Sequence, residues 1–232
     1  MPRSIAVLCA GASQGLLTRL ADPLREHLDV VLQGRFGAVG AMKEAFIAGE
    51  PCDLMILTDA MIRDMVAEGS LQASGMTALG SVFTGIAVPV GRQAPDISTP
   101  ESLAKSLRAA DSLWVPDTER STAGIHVKKV LQALGLESEM ASRMKVFPNG
   151  ATAMREMAAA KLPGALGCTQ LSEIPFTPGV HAVGRLPKQF ELGTVYSAAV
   201  SSRASEPALA RAVIEMLGAD RWASVRQDCG FE

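Results

Sequence analysis

The chain has 232 residues, 48% of them apolar, with a formal net charge of −2. That length and apolar share can build a sizeable core, in one large domain or in two smaller lobes. The Lys and Arg residues form no block longer than Lys128–Lys129, and the aromatic set is two Trp, one Tyr and seven Phe, so the electrostatic footprint and stacking platforms of a nucleic-acid binder are missing.

In chain order, the N-terminus passes from Met-Pro-Arg-Ser straight into the strand-like IAVLCA without a leader-like apolar segment. A cytoplasmic protein is the expectation from the sequence as written, and a periplasmic one if a leader has been trimmed. Strand-like runs follow at about 4–10, 28–33, 53–57, 82–90, 112–116, 144–147, 165–168, 179–183 and 194–201. Between them lie helical stripes: Leu16, Leu17, Leu20 and Leu24; Met42, Ala45 and Phe46; Val127, Val130, Leu131 and Leu134; Met154, Met157 and Ala158; Ala208, Ala212, Val213 and Leu217. Gly49, Gly135 and Gly218 stand as stop signals. This rhythm predicts an α/β fold with mainly parallel pairing. The runs near Val82 and Val195 flank a central block with its own strands and helices. Two lobes joined by paired crossover strands are therefore expected, 1–82 plus 196–232 and 83–195.

No apolar run approaches the ~18 residues of a membrane span, so no membrane insertion is expected. Cys9, Cys52 and Cys168 lie in or beside apolar runs, Cys229 stands near the C-terminus, and there is no CxxC, which favours buried free thiols over disulfides. His27, His126 and His181 are far apart, without HExxH or zinc-type spacing. No metal and no cofactor are called for.

Four strand-like runs end in small or hydroxyl residues that open a helix: IAVLCAGASQG from Ile5, VVLQGRFGAVG from Val30, SLWVPDTERSTAG from Ser112 and KVFPNGATAM from Lys145. A helix start leaves backbone N–H groups free where the macrodipole is positive, which suits an anion. The side chains there also have a structural use: Ser13, Thr122 and Asn149 are good helix caps, and Arg35 and Arg120 could be solvated loop residues.

The segments IAVLCAGAS, PCDLMILTDAMIRDMVAEGSL, VPDTERSTAGIHVKKVLQALGL and WASVRQDCGFE resemble the molybdate-binding proteins of bacterial ABC transporters across nearly the whole chain. The resemblance implies a type II periplasmic-binding-protein fold, with two α/β lobes joined by two crossovers and a small anion clamped between them, and an ABC permease as a possible partner. It places Ser13 at the serine of the first loop. The second loop, serine-rich in the family, reads Phe36-Gly37-Ala38-Val39-Gly40 here, so Gly37, Ala38 and Val39 offer backbone donors only. Ser121, Thr122 and Ala123 keep the third loop. The family's ligand-contacting tyrosine falls on Gln170, and Asn149 opens the fourth helix. With two hydroxyl positions replaced, the pattern points to an organic carboxylate over a bare tetrahedral oxyanion, and the planar forks of Arg35 and Arg120 suit bidentate carboxylate binding.

The first functional expectation is a solute-binding protein that closes on a small anion. The alternative is an isomerase of unsaturated tricarboxylates, of the aconitate isomerase type found among relatives of this family. That chemistry needs a base, for which His126, Glu119 and Asp117 stand nearest the third loop in sequence. No GxSxG marks a nucleophilic hydrolase, and no helix-turn-helix precedes the first strand as in LysR-type regulators.

Overall fold

The computed structural model describes residues 2–232 and divides the chain into two compact units, Met1–Val82 with Thr194–Glu232 and Phe83–Gly193. Nine strands fall on the nine apolar runs of the sequence. They alternate with helices as the change from a two-residue to a 3.6-residue apolar period requires.

In the first unit, β1 (Arg3–Ala10) pairs in parallel with β2 (Val30–Gly37) and β3 (Leu54–Thr58), and β9 (Gly193–Val200) runs antiparallel to β3. Helices α1 (Gln14–Arg19), α2 (Ala21–Leu28), α3 (Val39–Ile47), α4 (Asp59–Ala67), α9 (Pro207–Gly218) and α10 (Ala223–Asp228) surround that sheet. Its core gathers Ile5, Leu8, Leu54 and Ile56 with Leu16, Leu24, Ile62, Val213 and Leu217. The stripe expected as one helix is two, because the chain turns at Leu20, yet all four of its leucines are buried. The carboxylate of Asp53 ties three segments of this unit. It accepts from Ala6 N–H at 2.8 Å and from the N–H and Oγ of Ser205 at 2.6 and 2.8 Å. At the C-terminus Phe231 is buried edge-on to Tyr196 with ring centroids 6.4 Å apart, while Ser81 and Glu232 exchange backbone bonds. Gly80 sits opposite at φ +132°, a conformation open to glycine, with Phe231 and Glu232 against its α-carbon.

In the second unit, β5 (Ser112–Pro116) pairs in parallel with β6 (Met144–Phe147) and β7 (Ala165–Gln170). The long β4 (Thr77–Pro89) runs antiparallel to β7 and to β8 (Val180–Arg185). Helices α5 (Pro100–Ala109), α6 (Thr122–Ala133), α7 (Glu137–Met140) and α8 (Gly150–Ala160) cover it. Ile86, Leu107, Leu113, Val130 and Leu166 form one core cluster, and Trp114, Met154, Met157 and Ile174 a second. The parallel ladders expected from the βα rhythm lie inside each unit, and the antiparallel ladders described involve β4 or β9, the strands in which the chain passes from one unit to the other; an isolated antiparallel bridge joins Leu71 and Ser201.

All four cysteines are free and buried. Burial pushes the thiols of Cys52 and Cys168 up to about 12, which leaves them protonated packing groups. Among the described residues no group of His, Cys, Asp or Glu is arranged to hold a metal, and no helix is long and apolar enough to cross a membrane.

Candidate functional site: helix starts and unpaired buried donors

β1 hands over to α1 through a single 3-10 turn, Gly11–Ser13. Ser13 stands at the N-cap of α1 but makes no side-chain cap bond; its hydroxyl is fully buried and has no hydrogen-bond partner within the protein. A buried, unpaired hydroxyl costs about 1–3 kcal/mol, so such a group is retained where something else pairs it.

The second handover, Gly37-Ala38-Val39, is also buried. Ala38 is the extended N-cap of α3, no side chain caps that helix, and its first turn carries no acid. Its exposed polarity is therefore that of backbone N–H groups. A Cβ on Gly37 would lie 2.7 Å from the Met42 methyl, so the end of that flexible side chain would have to shift to admit one. Arg35 differs from expectation. It lies inside β2, opposite Leu8, not after the strand, and its guanidinium donates to Glu50 on a half-exposed surface. Alternation along β2 turns it to that surface, where the acidic Glu50, in the loop after α3, neutralises it.

At the third handover the loop after β5 is organised by Asp117. Its Oδ1 accepts the N–H groups of Glu119 and Arg120, each at 2.9 Å, and Oδ2 pairs with the Arg120 guanidinium at 2.9 Å. Burial opposes ionisation of this carboxyl, but those donors outweigh it and hold the group below the usual carboxylate range. Arg120 is thus engaged within its own loop. Ser121 is the N-cap of α6 and accepts weakly from Gly124 N–H at 3.5 Å; Thr122 is half-buried and Ala123 buried. Gly124 packs against the carbonyls of Pro116 and Asp117, where any Cβ would clash, so the helix start is pressed onto the strand end. His126, one turn on, has Nε2 2.7 Å from the Phe190 carbonyl.

The fourth handover carries its own anion. Asn149 caps α8 by accepting Thr152 N–H at 2.8 Å. Beneath it the buried carboxyl of Glu173 accepts from Thr169 Oγ1 at 2.5 Å and from the backbone N–H groups of Gly150, Ala151 and Gln170. A Cβ on Gly150 would fall onto Thr169 Oγ1 and Glu173 Oε2, so glycine is what admits the carboxyl to the helix start. Burial pushes the Glu173 carboxyl up to about 7, against the pull of these donors. Nothing in the spacing of residues marks Glu173 in advance, because its partners come from a helix start 23 residues back and from the strand before it.

Gln170 ends β7, 3% exposed, with both carboxamide atoms unpaired. Thr84 and Ser172 in the same unit share that state, and the linear pattern singles out neither. Within the first unit the structure gives Ser13 and the α3 start as uncommitted donors. Within the second it gives the α6 start and Gln170, whereas Arg35, Arg120 and Asn149 are engaged by neighbours.

Two α/β units and a chain that crosses twice between them make up the type II periplasmic-binding-protein fold. The chain belongs to the bacterial extracellular solute-binding protein family, whose model matches residues 5–232. An aconitate isomerase from a Pseudomonas species is 26% identical over 238 residues, covering 99% of this chain and 87% of that protein. The periplasmic molybdate-binding protein of Azotobacter vinelandii has the same fold, with a TM-score of 0.80 at 15% identity over 98% of each chain. A sulfate-binding protein of Mycobacterium tuberculosis gives 0.74 at 14% identity, over 99% of this chain and 86% of that one.

Proposed function

We propose that this solute-binding protein takes a small organic carboxylate, and that it delivers it to an ABC permease. The observation that carries the reading is the Ser13 hydroxyl, wholly buried and unpaired at the end of β1, where the first helix starts. The first unit adds the backbone donors of Gly37, Ala38 and Val39, and the second unit has donors of its own in Ser121, Thr122, Ala123 and Gln170. One feature favours a carboxylate over a bare tetrahedral oxyanion: the second helix start offers no hydroxyl. Arg35 and Arg120 are held by Glu50 and Asp117, so the carboxylate is received by hydroxyl and backbone donors. The 26%-identical relative, an aconitate isomerase, acts on a small polycarboxylate.

A thermal-shift screen of inorganic oxyanions against mono-, di- and tricarboxylates tests this, because a ligand of the folded state raises apparent stability by mass action. A carboxylate should give the largest shift, and Ser13→Ala should weaken its binding at least about tenfold by calorimetry. Unchanged affinity in that variant would remove Ser13 from the site. A screen in which only molybdate, tungstate or sulfate responds would replace the carboxylate.

The same relative favours one second reading, isomerisation of an unsaturated tricarboxylate. The bases nearest the third loop are poorly suited to it: both oxygens of Asp117 are engaged by its loop, and its lowered pKa makes it a weak base, while His126 is tied to the Phe190 carbonyl. Incubation with cis- or trans-aconitate decides, since interconversion detected by chromatography requires catalysis and its absence leaves binding alone.

A further inference from the structure

The four unpaired polar atoms of the second unit occupy one strand pair and the turn after it. Thr84 on β4 and Gln170 on β7 are directly opposed in antiparallel register, and Ser172 follows two residues later in the 3-10 turn Leu171–Glu173. Directly opposed residues of an antiparallel pair project to the same face with Cβ atoms about 4.5–5.5 Å apart. Alternation puts Ile86 and Val88 of β4, and Cys168 and Leu166 of β7, on that same face, and all four belong to one apolar core cluster. The face is thus apolar along its length until its end, where the sequence places a hydroxyl and a carboxamide. An apolar pair there would serve packing better.

Neither residue is satisfied by the protein. Thr84 is fully buried, and its main chain is bonded, N–H to the Leu192 carbonyl at 3.0 Å and C=O to Leu186 N–H at 3.3 Å. Only its Oγ1, the Gln170 Oε1 and Nε2 and the Ser172 Oγ lack partners. Thr169, the intervening residue, projects to the other face and is bonded to Glu173. The unpaired side chains of the two strands therefore share one face. Unmade hydrogen bonds at four buried atoms of one strand pair and the turn after it are a large cost for a fold to carry without a compensating partner.

The donor and acceptor pattern defines that partner. A fully ionised carboxylate or oxyanion only accepts, and would leave Gln170 Oε1 facing a like partial charge. An alcohol does both with a single oxygen: its hydrogen goes to Oε1 and its lone pairs accept from Nε2 or from the Thr84 or Ser172 hydroxyl. We infer that Thr84, Gln170 and Ser172 form the specificity element that recognises a hydroxyl on the bound acid, so that the ligand class is a hydroxycarboxylate. This rests on the carboxylate reading above and adds to it the substituent the protein selects.

Calorimetry with two matched pairs, malate against succinate and citrate against tricarballylate, isolates the hydroxyl. The wild-type chain should bind the hydroxylated member of at least one pair about tenfold or more tightly, as expected when a buried polar site loses its partner. Thr84→Val and Ser172→Ala should each reduce that preference to about twofold or less while leaving the affinity for the hydroxyl-free acid in place. Ligand-free, both variants should keep or raise Tm, because they remove unpaired buried polar atoms. A fall in Tm would make the residues structural and overturn the assignment. Equal binding within both pairs, or a preference that survives both substitutions, overturns the hydroxyl inference while the carboxylate reading stands. If none of the four acids binds and molybdate or sulfate does, the carboxylate reading fails, and this inference with it.

Discussion

Glu173 shows how a single buried residue alters what a helix start can do. A strand-to-helix handover is a generic anion site, and at α8 the anion comes from the protein itself. The four donors around the carboxyl do not fully offset its removal from water, so its native pKa, about 7, stands above its ordinary value. A carboxyl whose pKa is higher in the native state binds its proton more tightly there than in the unfolded chain. The folded state therefore holds more protons between about pH 4.5 and 7, and stability falls as pH rises through that window. The size is on the order of 3 kcal/mol. The other shifted carboxyls, Asp53, Asp59, Asp96, Asp117 and Glu191, are all lowered, so their stabilising contributions are lost only at lower pH, as they become protonated. Urea unfolding of the wild type at pH 5 and at pH 7.5 should show the decline, and Glu173→Gln should flatten it. Parallel slopes in the two proteins would mean that Glu173 titrates alike in both states.

At the scale of elements, the helix starts separate into caps and donors, and the cap at α8 can be tested directly. Asn149→Ala removes the acceptor of Thr152 N–H and should cost about 1 kcal/mol of stability. Ligand affinity should stay as in the wild type, since the start of α8 is already filled by Glu173; a tenfold loss of affinity would instead make Asn149 a ligand contact. The strands themselves were legible in the sequence because their runs are short, apolar and bounded by turn residues. The helix stops at Gly49 and Gly135 were legible because positive φ, here +91° and +66°, suits glycine. The break of the first stripe at Leu20 was not, since an unbroken apolar spacing is compatible with one helix or two. Nor was the fate of the arginines. Whether Arg35 meets a ligand or Glu50 depends on what lies 15 residues further on in the chain and beside it in space. The unpaired state of Thr84 and Gln170 is likewise a property of register between strands far apart in sequence.

At the scale of the molecule, the two units differ in how the chain builds them. The clusters of the second unit draw only on residues between Ile86 and Phe190, one continuous stretch. Its sheet pairs β4 with β7 and β8, and β5 with β6 and β7, through residues that all lie within Phe83–Gly193. The core of the first unit is discontinuous. Ile5, Leu54 and Ile62 pack with Ala198, Val213, Leu217 and Phe231, and β9 from the returning chain closes the sheet on β3. A fragment of ~110 residues with a complete core is within the size range of autonomous domains. Phe83–Gly193 expressed alone should therefore unfold cooperatively in urea and give a dispersed amide NMR spectrum. Residues 1–82 alone should do neither, because the edge of β3 and the apolar faces that α9 covers would be open. A collapsed but non-cooperative 83–193 fragment would place part of its stability in the returning segment. A folded 1–82 fragment would show that β1, β2 and β3 with their helices suffice without β9.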